Sequence, residues 1–473
     1  MAERLQDPCH APAAGKRKAR LLHMRRTHPP NAEEGRPSLT VDERSFRNPK
    51  LPDTFLIAYK AFADLAAKGA LFVVTVLAAR RLSSEGFGVF SLGSTLGWMV
   101  AVATDFGIQL HVARVVARQP DAAAGTLRRW LRVRWATAGG ALVAVGIGSI
   151  AVAPLRPYAL PIVLFALVYV CSGLVEFLHY FYRGLSRTDV ESTLTLWQRG
   201  GTLVFGAAAL AWRPDVTVLA IAMLLPVVAT LAVSLRIARS RARAVALRGE
   251  PARVEPIARE FQRDVWPIGA GIVLSAIYFR VDLFLVQIWS GTEAVGLYNA
   301  VYRLVEALRL FPAAVMAVAL PSLCRAIDLR PLARAAAPIT IAAVGIAAAL
   351  WIAAGTLVPA IYQPRYAAAV PAFRILLLAF PLMSLNMALT HQLVGWDGQR
   401  AYAALCGTAL AVNLALNIRL VPDLSIEGAA WATLATEIVL TAGCAAALGS
   451  ARGRMRRRDG AAVRPLGQSV IAG

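Results

Sequence analysis

Cysteine is scarce in this 473-residue chain, and acid is outnumbered by base. Cys9, Cys171, Cys324, Cys406 and Cys444 are scattered, with no CxxC spacing and no histidine cluster beside them, so neither a disulfide framework nor a metal site is expected. No cofactor is expected either, because the scattered aromatic residues (Trp98, Trp266, Trp289, Trp351) fit interfacial belts or packing. Twenty-eight carboxylates stand against fifty lysines and arginines, a formal net charge of +22. Such an excess ordinarily suggests nucleic acid. The arginines, however, sit in short segments between apolar runs, so nucleic acid is not expected as a partner. The first fifty residues lack an apolar h-region and are not a secretory signal. They read as a disordered cytoplasmic tail, with Met24 as an alternative start.

What the chain has in abundance is apolar sequence: 57% of its residues are hydrophobic, against about 45–50% in soluble domains. Its mean hydropathy is +0.56. Twelve apolar runs are expected to span a membrane, at 55–79, 88–110, 131–153, 158–182, 193–212, 215–235, 265–289, 295–320, 334–358, 368–393, 401–420 and 427–449. Arginine accumulates in the segments after the second, sixth and eighth runs and in the tail, which places these segments and both termini on the cytoplasmic side. The opposite loops are short and leave no room for an outer catalytic domain, so no enzymatic activity is expected. The fold class is an all-α membrane protein of about twelve helices in two six-helix bundles, related by a pseudo-two-fold axis along the membrane normal. The expected divisions are a basic tail (1–53), a first bundle (54–236), an arginine-rich linker (237–264), a second bundle (265–450) and a second basic tail (451–473).

The axis rests on an internal echo. Shifted by 208 positions, Glu85-Gly-Phe-Gly88-Val-Phe-Ser91 falls on Glu293-Ala-Val-Gly296-Leu-Tyr-Asn299, each within a long apolar hairpin. Both hairpins carry charges deep in their apolar runs, where a cation costs at least ~2.5–3.5 kcal/mol. A stretch that tolerates that cost has a polar cavity to hold the charge. In the first run Lys60, Asp64 and Lys68 are spaced by four and share a helical face. Lys60 is as well explained by snorkelling to the interface, whereas Lys68 lies too deep for that. In the eighth run Tyr298, Tyr302, Glu306 and Arg309 form a stripe beside Arg303, and Glu306 also reads as a neutralising partner for Arg303 or Arg309. Arg280 and Asp282, two positions apart, cannot share a face, so Arg280 is expected to point inward. Asp64, Glu176, His179 and Glu306 are candidates for proton or ion coupling, since ionisable groups at such depth shift readily. His179 reads equally as a packed, hydrogen-bonded residue.

Lysine and arginine facing a shared cavity suit an anionic cargo, with arginine adapted to bidentate grip on phosphate. The cargo expected is an amphiphile with its headgroup in the cavity and its tail in lipid. Leu77-Ala-Ala-Arg-Arg-Leu-Ser-Ser-Glu-Gly-Phe-Gly-Val-Phe-Ser with Asp105-Phe-Gly resembles the amino-terminal hairpin of Wzx-type polysaccharide flippases, members of the multidrug/oligosaccharidyl-lipid/polysaccharide exporter superfamily. Arg280-Val-Asp282 with Glu293-Ala-Val-Gly-Leu-Tyr298 resembles their seventh and eighth helices, and Asn413-Leu-Ala-Leu-Asn417 with Glu427-Gly-Ala-Ala-Trp-Ala-Thr resembles their carboxy-terminal region.

The resemblance covers about residues 50–450. It implies two bundles around a cationic cavity that opens alternately to either side, with an undecaprenyl-pyrophosphate-linked sugar unit as substrate. Arg280 matches the family's cavity arginine, while Lys60 and Lys68 stand where arginine is commoner. With Arg303 and Arg309 these form the expected substrate-binding set. The implied setting is the bacterial inner membrane, in O-antigen, capsule or exopolysaccharide synthesis beside glycosyltransferases and a polymerase. A cation-coupled multidrug exporter of the same superfamily is the alternative, distinguished by a net acidic cavity.

Overall fold

A computed structural model of the chain describes residues 53–246, 256–324, 328–396 and 398–462. Residues 1–52 of the expected leading tail, 247–255 of the linker and 463–473 of the closing tail lie outside the described residues.

All regular structure among the described residues is helical. The first half comprises α1 (Asp53–Arg81), α2 (Ser84–Asp105), a short α3 (Ile108–Arg118), α4 (Ala123–Ala151), α5 (Ala159–Gly184), α6 (Thr188–Trp212) and α7 (Val216–Ala246). After α8 (Ile257–Glu260) and a π-turn at Phe261–Val265 come α9 (Trp266–Leu308), α10 (Leu310–Cys324), α11 (Arg330–Tyr362), α12 (Val370–Gly395) and α13 (Gln399–Ala462). Among the described residues, nine helical segments are long and apolar enough to cross a membrane. Two of them hold a pair of the expected runs each. Helix α9 breaks at Gly291 (φ 82°, ψ −179°), a conformation only glycine adopts readily, and α13 breaks at Ser425. The expected run 193–212 forms most of α6, whose hydropathy Gln198 and Arg199 reduce.

The exterior is apolar. Val143, Ile147 and Ile150 on α4, Trp197 and Val204 on α6, and Ile341 and Ile352 on α11 are all more than half exposed. A surface of that kind is stable against hydrocarbon and unstable in water. The protein is a multi-pass, all-helical membrane protein.

Two boundaries position the site. Ser83 caps α2 by accepting from the Gly86 N–H at 3.0 Å, with Glu85 favourably placed in the first turn. At the other end Phe106 (φ 47°) and Gly107 (φ 80°) turn the chain into α3. Helix α3 buries Ile108, His111, Val112 and Val116, one face of an amphipathic turn.

Helix α2 packs on α5 within its own half and on α9 across the divide. The crossing falls at Gly88 and Gly296. A Cβ on Gly88 would lie 1.9 Å from the Thr292 carbonyl oxygen, and one on Gly296 would meet Gly88 N at 3.1 Å. One turn along, Asn299 Nδ2 donates to Ser91 Oγ at 2.9 Å. Gly88 and Gly296 are 208 positions apart, and so are Ser91 and Asn299.

A cavity between the halves and its charged lining

A cavity of ≈590 Å³ lies between α2 and α5 of the first half and α9 of the second, with a contribution from Arg199 of α6. Its lining follows the sequence offset. Leu71 and Phe279, Thr95 and Arg303, Trp98 and Glu306, Ala101 and Arg309, Val102 and Leu310, and Asp105 and Ala313 are six pairs 208 positions apart, and all twelve residues line it.

Arg199, Arg280, Arg303 and Arg309 line it against Asp105, Glu176 and Glu306. Arg280 donates from Nη2 to Glu306 Oε1 at 2.6 Å, and Arg303 from Nη1 to Glu306 Oε2 at 2.9 Å. One carboxylate therefore holds two guanidiniums side by side. The Arg280 guanidinium also stands 5.0 Å from the Tyr302 ring centroid, and Arg309 the same distance from that of Phe279. Both contacts are cation–π pairs, which replace part of the lost hydration.

Across the cavity Asp105 receives a backbone N–H from Gly107 at 3.1 Å and faces the fully buried Arg134, Nε to Oδ1 at 3.6 Å. Arg134 lies behind the wall, where a Cβ on Gly173 would come within 3.4 Å of it. Asp105 is thus compensated from outside the cavity, and the space retains an excess of cation. Glu176 is exposed and makes no ion pair within 4 Å among the described residues.

Asp282 points away from Arg280: its Oδ2 accepts from the Tyr298 hydroxyl at 2.6 Å. Deeper in the second half, Glu437 Oε2 accepts from Asn386 Nδ2 at 2.7 Å, and Thr441 donates to Asn386 Oδ1 at 2.8 Å. A cavity of ≈20 Å³ lies between Asp282, Glu437 and Arg309.

The cations of α1 lie elsewhere. Lys60 ion-pairs with Glu191 of α6 at 2.9 Å and also with Asp64, and Glu191 is itself held by Arg183 at 2.6 Å. Lys68 is exposed on α1, and neither it nor Lys60 lines the cavity. His179 is buried beside Tyr182, with their ring centroids 6.5 Å apart, and also lies off the cavity. Of the nine sequence-selected residues the cavity gathers Arg280, Arg303, Arg309, Glu306 and Glu176. It adds Arg199 and Asp105, with Arg134 behind. The sequence signal for Asp105 was the Asp105-Phe-Gly turn. From sequence Arg134 reads as part of the basic stretch after the second run; the structure places it about three turns inside α4, which starts at Ala123.

The halves also meet at both ends of this cavity. At the α1–α2 turn, Arg365 donates to Leu82 O at 2.5 Å and to Ala79 O, and the Tyr366 hydroxyl donates to Ala79 O at 3.2 Å. At the arginine-rich end Phe106 stacks on Phe261 at 5.8 Å and lies tilted against Trp266 at 5.3 Å. Glu260 there joins His111 at 2.6 Å and also Arg129. Burial by itself would raise the Glu260 pKa, but the His111 hydrogen bond and the charges of His111 and Arg129 prevail and hold it below the usual carboxylate range.

The family model for polysaccharide biosynthesis proteins matches residues 57–326, more than half of the chain. The chain belongs to that family. No curated protein sequence matches it, so the family and the fold carry the assignment. Among solved structures, an inward-facing multidrug resistance MATE transporter of the MOP superfamily aligns with TM-score 0.67 at 13% identity, covering 83% of this chain and 95% of that one. The lipid II flippase MurJ in an inward closed conformation aligns with TM-score 0.66 at 11% identity, covering 84% and 89%. A MOP superfamily transporter from Pyrococcus furiosus, described by the reverse polarity of its binding pocket, aligns with TM-score 0.54 at 15% identity, covering 85% and 94%. At such identities these likenesses establish the fold. Family and fold together make the chain a multi-pass membrane protein of the polysaccharide biosynthesis family, with the fold seen in the MATE and MurJ structures.

Proposed function

We propose that the protein flips a prenyl-pyrophosphate-linked oligosaccharide across the bacterial inner membrane, for O-antigen, capsule or exopolysaccharide synthesis. The observation that carries this reading is the row Arg280, Arg303 and Arg309 in the central cavity, with one carboxylate, Glu306, shared between the first two. Paired guanidiniums suit the oxygens of a diphosphate. The sugars would occupy the cavity while the prenyl chain stays in lipid.

In this proposal the chain spans the membrane twelve times in two six-helix bundles, 54–236 and 265–450, joined by the 237–264 linker, with both termini cytoplasmic. The contacts of Gly88 with Gly296 and of Ser91 with Asn299 support a two-fold axis, because equivalent residues of two copies touch only near their symmetry axis. Contacts between the halves on either side of the cavity support alternating access, one set opening while the other holds. Lys68 is the cation of α1 available to meet the headgroup on entry, since Glu191 and Asp64 hold Lys60. Among Asp64, Glu176, His179 and Glu306, Glu176 is the coupling group favoured, being exposed to the cavity without an ion pair within 4 Å among the described residues.

The likeness to a multidrug transporter supports a second reading, export of organic cations. A cavity with surplus arginine disfavours it, because like charges in a desolvated site repel. The deciding experiment is translocation of a fluorescent prenyl-pyrophosphate sugar in proteoliposomes. Arg280→Gln and Arg303→Gln should each reduce it at least tenfold. Unchanged flipping by both variants, or dye export by the parent protein, would overturn the proposal.

A further inference from the structure

A second arginine-lined concavity lies away from the central cavity. The first turns of α4 and the last turns of α7 enclose a groove of ≈310 Å³ that carries Arg128 and Arg132 from α4 and Arg239 and Arg243 from α7. Each pair is spaced by four, so its two guanidiniums leave one face of their helix. All four are exposed, and among the described residues none has a carboxylate partner. Their neighbours differ: Arg129 is tied to Glu260, and Arg134 faces Asp105. The groove's floor is apolar, with Leu131 and Ala242 buried, and Trp135 stands at its edge, 45% exposed.

Four guanidiniums around one hollow repel one another unless an anion sits between them. Arginine forks match phosphate oxygens in particular. A free phosphate would satisfy the charge but would leave the rest of α4's face unexplained. Continuing along α4 away from the arginines, Val143, Ile147 and Ile150 are 61%, 64% and 58% exposed. At about 100° per residue they fall within roughly 100° of Arg128 and Arg132 on the same face of the helix. Cations, an interfacial tryptophan and then an apolar strip follow one another in the order of a phospholipid's headgroup, glycerol region and acyl chains.

We propose that the α4–α7 groove binds one acidic glycerophospholipid, its phosphodiester held by Arg128, Arg132, Arg239 and Arg243 and its chains running along α4 past Trp135 to Val143, about 17 Å beyond Arg132 at 1.5 Å per residue. The site is separate from the cargo cavity and does not depend on what the cargo is. By tying α4 to α7 it would brace the first half.

The test uses the full chain, purified in detergent and loaded with phosphatidylglycerol or phosphatidylcholine, with bound lipid counted by native mass spectrometry. Phosphatidylglycerol should be retained in preference to phosphatidylcholine and should raise the thermal midpoint. The fourfold variant R128Q/R132Q/R239Q/R243Q should bind it at least tenfold more weakly, given roughly fivefold per cation near a membrane surface. The pair R118Q/R241Q removes charge from the same end outside the groove and should retain the lipid. Should the fourfold variant misfold by circular dichroism, R239Q/R243Q alone should still show the loss. Equal retention of the two lipids, equal loss in R118Q/R241Q, or complete displacement of phosphatidylglycerol by millimolar inorganic phosphate would each overturn the proposal.

Discussion

Glu306 occupies the place the proposed cargo would need, and replacing it with glutamine should tighten anion binding while loosening the protein. The carboxylate accepts from Arg280 at 2.6 Å and Arg303 at 2.9 Å. Buried charge-assisted hydrogen bonds contribute about 1.5–3 kcal/mol each. The Glu306 side chain is 35% exposed to the cavity while that of Arg280 is 8% exposed, so solvent screening brings the pair of contacts to about 2 kcal/mol together. Glu306→Gln keeps the shape and removes the charge, so the protein should lose about that much stability. A diphosphate entering the parent cavity must displace Glu306 from both guanidiniums. In the variant that cost is absent, and about 2 kcal/mol corresponds to roughly 30-fold tighter binding. Calorimetric titration of the purified protein with pyrophosphate measures the change directly. Arg303→Gln should move affinity the other way. A Glu306→Gln protein that binds pyrophosphate no more tightly than the parent would refute the idea that the carboxylate stands in for the cargo's anion.

Three other outcomes follow from the contacts between the halves. Gly88→Ala drives a Cβ into the Thr292 backbone and should cost about 1–3 kcal/mol with loss of transport, whereas Gly200→Ala, with nothing within 4 Å, should be neutral or stabilising; equal effects on the thermal midpoint would contradict this. A Ser91→Cys/Asn299→Cys disulfide should arrest transport reversibly, and normal turnover in the oxidised protein would show that the α2–α9 contact does not move. The depressed pKa of Glu260 means that its contribution to stability is complete above the ordinary carboxylate pKa and is lost as pH falls through its own lower value. Melting midpoints should therefore drop on acidification below about pH 4.5, and Glu260→Gln should flatten that drop; an unchanged acid limb would exclude this role.

The membrane crossings were legible because hydrocarbon demands about twenty apolar residues in a row, and the break inside α9 showed as the gap between the runs 265–289 and 295–320. That Arg280 and Asp282 part company followed from a spacing of two. Partners distant in sequence were not legible. Lys60 meets Glu191, 131 positions on, and Arg134 meets Asp105 from a helix that begins earlier than its hydropathy suggests. Lys60, Asp64 and Lys68 share a face, but a stripe does not reveal how its helix is rotated, and the cavity takes Leu71 from α1 instead. Arg199, which lies within the 193–212 run, reaches the cavity.

The six offset pairs in the cavity wall show where this chain's specialisation lies. On the proposed two-fold arrangement the two halves would present matching backbone near the axis, and the glycines that let α2 and α9 touch fit this. Their side chains do not match. Where the second half places Arg303, Glu306 and Arg309, the first places Thr95, Trp98 and Ala101; where the first places Asp105, the second has Ala313. A symmetric arrangement of the same residues would put two arginine rows face to face across one small cavity, and their repulsion in a poorly hydrated space would oppose closure. Confining the row to one half, with Glu306 inside it, sets it opposite Asp105, compensated by Arg134, and one further carboxylate, Glu176, against one further cation, Arg199. This leaves one cationic wall and one wall of no net charge, partly aromatic. A diphosphate has a place against the first and a sugar against the second. On this argument, moving the charge across the axis, as in Thr95→Arg with Arg303→Thr, should preserve net charge and still impair transport, because Glu306 would lose one of the two guanidiniums it holds together.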